Sequence, residues 1–444
     1  LTTSIRSNAQ PSGGVTAQQP VNPAIAPADI QALVAELTPT AERFRAQSSP
    51  LSVQLDNGTL VPGGAGGTLQ TRIASVGLGY RVVTEHTVVI SLVNTAAGAV
   101  VVNLSNFFPY NLLQNTQVQI NGGATVYSAS GLGGLWVAMR NKRGIFDLTS
   151  QGGFGFGLSP AAVRVAFNAN GTPTNAGAVG NFTGIASVSC AAALTTTITV
   201  TFYTIEKFAL DRESLLGALP LQNNSTFANM TRQVLATPLQ AGPNNHKAPL
   251  FTAGAVPGTL TATLTYTVSS TYDFMSVPAD QGLYQEMVFN SYQVQEQTNL
   301  TVNATGAGAL SYDIPQNQYL IAAHMTLFDS AGNLVPTGAN GLSLLKLQYN
   351  AGGVIPVQQF AGRMRFAQFV DYGDDRNWLG GYRFWDGEDT TEHIARADQM
   401  GWIDTYAAAT PQLVADVAAA ITTPISYNVC RESVVAGAVQ VVGG

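Results

Sequence analysis

Charge is what this chain has least of. Only 10% of its 444 residues are Asp, Glu, Lys or Arg, against about 25% in an ordinary globular protein. Gly, Ala, Thr, Asn, Gln and Ser supply the polarity instead. So little charge leaves a free monomer few electrostatic means of staying apart from its copies. The composition therefore leans toward a protein that works packed against other subunits. Basic residues are the scarcer sign: 20 Lys and Arg face 26 Asp and Glu, for a net charge of −6. The densest basic spot is Arg140, Lys142 and Arg143. A phosphate backbone needs a basic surface, so no direct contact with nucleic acid is expected.

Cysteine is nearly absent. Cys190 and Cys430 lie far apart and belong to no CxxC or Cys/His cluster, which excludes a zinc site and a disulfide scaffold. They are expected as buried thiols on strands. No apolar run reaches 18 residues and no signal peptide is visible, so the expectation is a chain soluble as synthesised, made in a reducing compartment. The four histidines, His86, His246, His324 and His393, form no HExxH, and no GxSxG elbow occurs. The glycine runs at 131–134 and 152–157 lack the strand–loop–helix setting and Lys-Ser/Thr ending of a phosphate loop; they read as loops. Neither catalysis nor a cofactor is expected.

What the chain does have is alternation. In Asn106-Phe-Phe-Pro-Tyr-Asn-Leu-Leu-Gln-Asn-Thr-Gln-Val-Gln-Ile-Asn-Gly-Gly123, an aromatic bend runs into a period-two strand. Gln117, Gln119 and Asn121 point one way and Val118 and Ile120 the other, closed by an Asn-Gly turn signal. Phe107, Phe108, Pro109, Leu112 and Leu113 read as the anchor that fastens one end of a β-barrel. Strict alternation also marks 51–55 and 259–268, and further strands are read over 80–93, 100–104, 191–202, 291–302, 318–328, 341–349 and 425–435. Helix is expected over 28–46, broken or kinked at Pro39, at 211–219, and over 390–420 with an Ala-rich part after Pro411. Helices are too few for a parallel α/β fold.

The expected plan is an arm with a short amphipathic helix (1–48), a first barrel (49–210), a connector (211–255), a second barrel with long loops (256–436) and a tail (437–444). Two serial β-units of this size are the mark of a duplicated sandwich. The one dense patch of charge and aromatics comprises Asp371, Asp374, Asp375, Trp378, Trp385, Asp386, Glu388 and Asp389. It reads first as an interface or ligand loop. A Ca²⁺ site, a sugar platform and a glycosidase carboxylate pair are the alternatives.

The 106–122 motif, the connector Pro220-Leu-Gln-Asn-Asn-Ser-Thr226 and the closing Cys430-Arg-Glu-Ser-Val434 resemble the double jelly-roll major capsid proteins of tailless, internal-membrane-containing double-stranded DNA viruses, especially the tectivirus-like bacteriophages. The resemblance implies an all-β fold of two consecutive eight-stranded jelly-roll barrels with short peripheral helices. It implies a structural, non-enzymatic protein of the virion capsid shell, assembled in the host cytoplasm. A homotrimer of pseudo-hexameric outline would tile an icosahedral shell with neighbouring capsomers and minor capsid or vertex proteins. The N-terminal arm would reach the inner membrane. The runner-up is a virion spike or other carbohydrate- or receptor-binding β-protein using Trp378 and Trp385 for stacking.

Overall fold

The computed structural model describes residues 42–63, 66–105, 108–121, 123–140, 163–174, 185, 187–210, 212, 215–221, 227–234, 258–279, 290–330, 335, 340–349, 354–360, 363, 381–386, 403–405 and 410–436. The 437–444 tail and most of the 1–48 arm lie outside them, apart from a short helix α1 (42–47).

Among the 23 strands of the described residues, sixteen carry the architecture. Eight belong to the first unit: β1 (Pro50–Gln54), β2 (Gly67–Ile73), β3 (Leu78–Asn94), β4 (Leu113–Ile120), β5 (Ala124–Ala129), β6 (Thr195–Lys207), β7 (Ala228–Val234) and β8 (Leu260–Met275). They pair in the order β1-β8-β3-β6 in one sheet and β2-β7-β4-β5 in the other. The second unit holds β9 (Asn290–Val302), β10 (Gly306–Asp313), β11 (Tyr319–Phe328), β12 (Leu342–Tyr349), β13 (Val354–Phe360), β14 (Gly381–Asp386), β15 (Gln412–Val417) and β16 (Ile425–Ala436). Their orders, β9-β16-β11-β14 and β10-β15-β12-β13, repeat the same permutation. Interleaving first with last strands in one sheet is the jelly-roll way of protecting edges. The architecture is all-β and of jelly-roll type.

Several expectations need correction. The first unit does not end near residue 210: β7 lies inside the expected connector, yet pairs with β2 and β4. Likewise β8, expected to open the second barrel, pairs with β3 over its whole length. The boundary therefore falls between Met275 and Asn290. Alternation identifies a strand but not its partner, and these partners lie far away in sequence. Residues 412–417, read as helix, form β15 between β10 and β12. There, cross-strand pairing overrides the helix preference of alanine. At 211–219 the described residues make a turn rather than a helix.

Gly131–Gly134, read as a loop, open the helix α2 (Gly131–Arg140). Glycine weakens a helix, so its presence here needs a reason, and the reason is proximity. A Cβ on Gly131, Gly133 or Gly134 would lie 2.1, 2.4 or 2.5 Å from Tyr110 O, Glu296 Oε2 or Tyr127 Oη, respectively.

The first unit's interior is layered. Val88, Ile90, Ile198, Val200, Phe202, Leu264 and Tyr266 belong to one apolar cluster, while Val82, Ile73, Phe208 and Tyr272 belong to a second. Between them, at inward positions of β3, β6, β7 and β8, come Thr84, His86, Thr204, Glu206, Arg232 and Ser270, all buried.

Candidate functional site: the seam between the units

The seam starts with backbone. β5 of the first unit pairs in parallel with β9 of the second, Tyr127 opposite Val294 and Ser128 opposite Gln295. One sheet therefore runs continuously from β2 through both units to β14. Few residues make this join, so side chains must stiffen it.

Helix α2 does so. It follows β5 in the chain, packs mainly within the first unit against β6 and β4, and reaches the second unit through β16. Ser130 caps it, its Oγ accepting the Gly133 N–H at 3.0 Å, the usual bond from an N-cap to the third helical amide. The Ser130 N–H in turn donates to Glu296 Oε2 of β9 at 2.5 Å. In a capping box, a local Glu satisfies that amide; here the carboxylate comes from the other unit. Asn428 of β16 donates to its second oxygen at 3.4 Å. Burial holds the Glu296 carboxyl above the usual glutamate range, opposed by the bonds from Ser130 and Asn428.

Along the helix, Trp136 stacks on His324 of β11, with centroids 5.7 Å apart. Cys430 of β16 faces the Gly133 carbonyl at 3.6 Å, and burial pushes its thiol well up, so it is a packing group rather than a nucleophile. Deeper in the second unit, Tyr292 donates to the buried Glu432 carboxylate, which lies 4.0 Å from His324 Nε2. From the first unit, Gly217 presses against the Tyr292 backbone, where a Cβ would meet the amide nitrogen at 2.2 Å. Lys207 Nζ sits 5.5 Å from the Tyr292 ring centroid.

The polar layer inside the first unit ties its two sheets together. Arg232 of β7 donates to Thr84 Oγ1 at 2.6 Å and Ser270 Oγ at 3.1 Å on the facing sheet. Thr84 passes the contact to Glu206 Oε2 at 3.2 Å, and Thr204 donates to Oε1 at 2.7 Å. Burial lowers the affinity of Arg232 for its proton, while Glu206 opposes that. His86 bonds Thr204 at 2.8 Å and stacks on Phe202 at 4.7 Å. Burial and then Arg232 hold it well below the usual imidazole range, so it is neutral.

The anchor residues are placed as follows. Phe108, Pro109, Leu112 and Leu113 are buried, and Phe107 lies outside the described residues. Phe108, Leu112 and Leu113 share a cluster with Phe202, Tyr266, Leu135 and Trp136. Tyr266 Oη donates to the Leu112 carbonyl at 2.7 Å. Of the acidic–aromatic patch, Asp371, Asp374, Asp375, Trp378, Glu388 and Asp389 lie outside the described residues. Trp385 and Asp386 are backbone positions on the edge strand β14, opposite Ala323 and Ala322. Among the described residues, no group of three or more His, Cys, Asp or Glu could hold a metal ion, and no helix is long and apolar enough to cross a membrane.

Sequence reading missed Arg232, Glu296 and the bridging role of α2. One signal was present: in a chain so poor in charge, Arg232 and Glu206 sit within alternating strands. A charge at an inward strand position must find a partner.

No protein-family model and no curated protein matches the sequence. Solved structures do match. The crystal structure of the STIV MCP superposes with a TM-score of 0.54 at 14% identity, covering 89% of this chain and 100% of that one. The atomic structure of Sulfolobus Turreted Icosahedral Virus gives a TM-score of 0.55 at 13% identity, over 87% and 91% of the two chains. The Faustovirus major capsid protein is a weaker likeness, with a TM-score of 0.48 at 9% identity over 87% and 90%. The repeated strand permutation and the first two of these likenesses together give the chain the double jelly-roll fold of viral major capsid proteins.

Proposed function

We propose that the chain is a structural major capsid protein whose two strand sets close as two eight-stranded jelly-roll barrels. Three copies form a trimer of pseudo-hexagonal outline, and trimers tile an icosahedral shell around an internal membrane. The observation that carries this reading is the seam. Two similar β-units joined by one continuous sheet, with a helix cap shared between them, make one subunit with two similar lobes. Three such subunits around a threefold axis present six similar lobes, which suits hexagonal tiling. The role is mechanical, and no side-chain set in it is asked to react.

The remaining features follow from the same reading. Low charge suits a subunit whose surface is mostly covered by neighbours. The arm at 1–48 reaches the inner membrane, minor proteins complete the vertices, and assembly takes place in the host cytoplasm. The virus is of the tectivirus-like phage kind. The loop containing Asp371, Asp374, Asp375, Trp378, Trp385, Asp386, Glu388 and Asp389 contacts a neighbouring subunit, and Phe107, Phe108, Pro109, Leu112 and Leu113 anchor the first barrel.

The test is mass and shape in solution, by light scattering after size exclusion and then negative-stain imaging. The expected result is three chains per particle with a six-lobed outline. A monodisperse monomer at high concentration overturns the proposal.

A further inference from the structure

We propose that the cleft between α1 and the end of β8 binds a phosphate group, free in solution or carried by a lipid headgroup. Arg45, Ser48, Pro50, Arg212 and Met275 line a cavity of about 290 Å³. Two arginines thus line one small space, and no described lining residue is acidic. Like charges held together cost free energy unless an anion joins them, and arginine's planar fork suits phosphate oxygens.

Unmet hydrogen-bonding capacity is the second observation. Arg45 Nε and Ser48 Oγ are buried atoms with no hydrogen-bond partner among the described residues. A buried donor without a partner is costly, and both atoms belong to residues that line the cleft. The carboxylate of Asp273, two residues before Met275, is already committed: Arg81 Nε holds it at 2.7 Å and Ser52 Oγ at 2.6 Å.

The cleft is also preformed. Phe44 of α1 is fully buried against Leu78, Tyr80, Ala209, Leu215, Ala218 and Met275, which pins the helix to the barrel. Ser49 and Ser276 exchange hydrogen bonds beside it, Ser276 N to Ser49 O at 2.9 Å and Ser49 N to Ser276 Oγ at 2.8 Å. Little ordering is left for a ligand to impose, which favours binding.

The test uses the full chain. Inorganic phosphate is titrated against a chloride control at matched ionic strength, reading thermal stability and calorimetric affinity. In parallel, the protein is sedimented with vesicles of phosphatidylglycerol or of phosphatidylcholine. Phosphate is expected to bind saturably and to raise the melting temperature. The double variant R45Q/R212Q should bind at least about tenfold more weakly, the loss of one charge-assisted bond. Ser48→Ala keeps both charges and should weaken binding severalfold. Arg72→Gln, outside the cleft, should change nothing. Sedimentation with phosphatidylglycerol vesicles that R45Q/R212Q abolishes identifies the lipid as the source; phosphate binding without it identifies the free anion. Equal phosphate affinity in wild type, R45Q/R212Q and S48A overturns the proposal. So does a wild-type melting temperature indifferent to phosphate together with no vesicle binding, a result that needs no variant to fold.

Discussion

The carboxylate of Glu296, on β9, accepts the backbone N–H of Ser130 at 2.5 Å, completing the N-terminal cap of a helix that belongs to the other β-unit. The partners are 166 residues apart. The bond makes this cap depend on the second unit.

That dependence predicts a pH signature. Burial holds the Glu296 carboxyl above its usual range, so the folded chain binds this proton more tightly than the unfolded chain does. Its stabilising contribution is complete below the ordinary glutamate value and is lost as pH rises through the raised one. Glu296→Gln carries no such proton. The melting temperature of the wild type relative to E296Q should therefore fall as pH rises from about 4 toward neutrality. A difference that stays constant, or grows, across that range contradicts the assignment.

Close approach at the seam gives a steric prediction. Gly217 has φ +81° and would place a Cβ 2.2 Å from the Tyr292 amide nitrogen. Gly217→Ala combines left-handed strain with a backbone clash and should cost at least about 2–3 kcal/mol, measured by urea unfolding. An unchanged midpoint would mean the two units are not pressed together there.

Arg232 is the next test. Arg232→Ala leaves Glu206 buried without its cation and should destabilise by about 3–5 kcal/mol. Arg232→Met with Glu206→Gln removes both charges while keeping volume, and should recover most of that loss. Chemical denaturation of Arg232→Met, Glu206→Gln and the double variant decides it. Additive losses would show that the two side chains do not cooperate through Thr84.

The anchor motif makes a graded prediction. Phe108→Ala empties a fully buried site and should cost about 3–5 kcal/mol. Tyr266→Phe removes only the hydrogen bond to Leu112 and should cost about 1 kcal/mol. Equal effects in equilibrium unfolding would argue that Phe108 is not a main packing contact.

Strand content was legible because alternation is local. Thr195–Lys207 and the first part of Leu260–Met275, as far as Tyr272, put every second side chain inward, and a two-residue period survives without knowledge of any partner. Residues 412–417 were misread for a matching reason. In Gln412-Leu-Val-Ala-Asp-Val417, Leu413, Val414 and Ala415 are buried consecutively, so the alternation lapses, and short apolar runs do not distinguish strand from helix. The candidate site was less legible still. Glu296 and Ser130 each look ordinary within their own segment, and only their meeting makes the cap.

By itself, then, the sequence determined the fold class, the scarcity of charge and most of the strand positions. All of these arise from side-chain type and short-range period. Tertiary structure alone decided which strands share a sheet, where the first unit ends, why glycines begin a helix, and how buried charges are satisfied. Those outcomes depend on contacts between residues distant in the chain, such as β8 lying between β1 and β3, and hydrogen bonding and packing across such distances leave no periodic trace along the sequence.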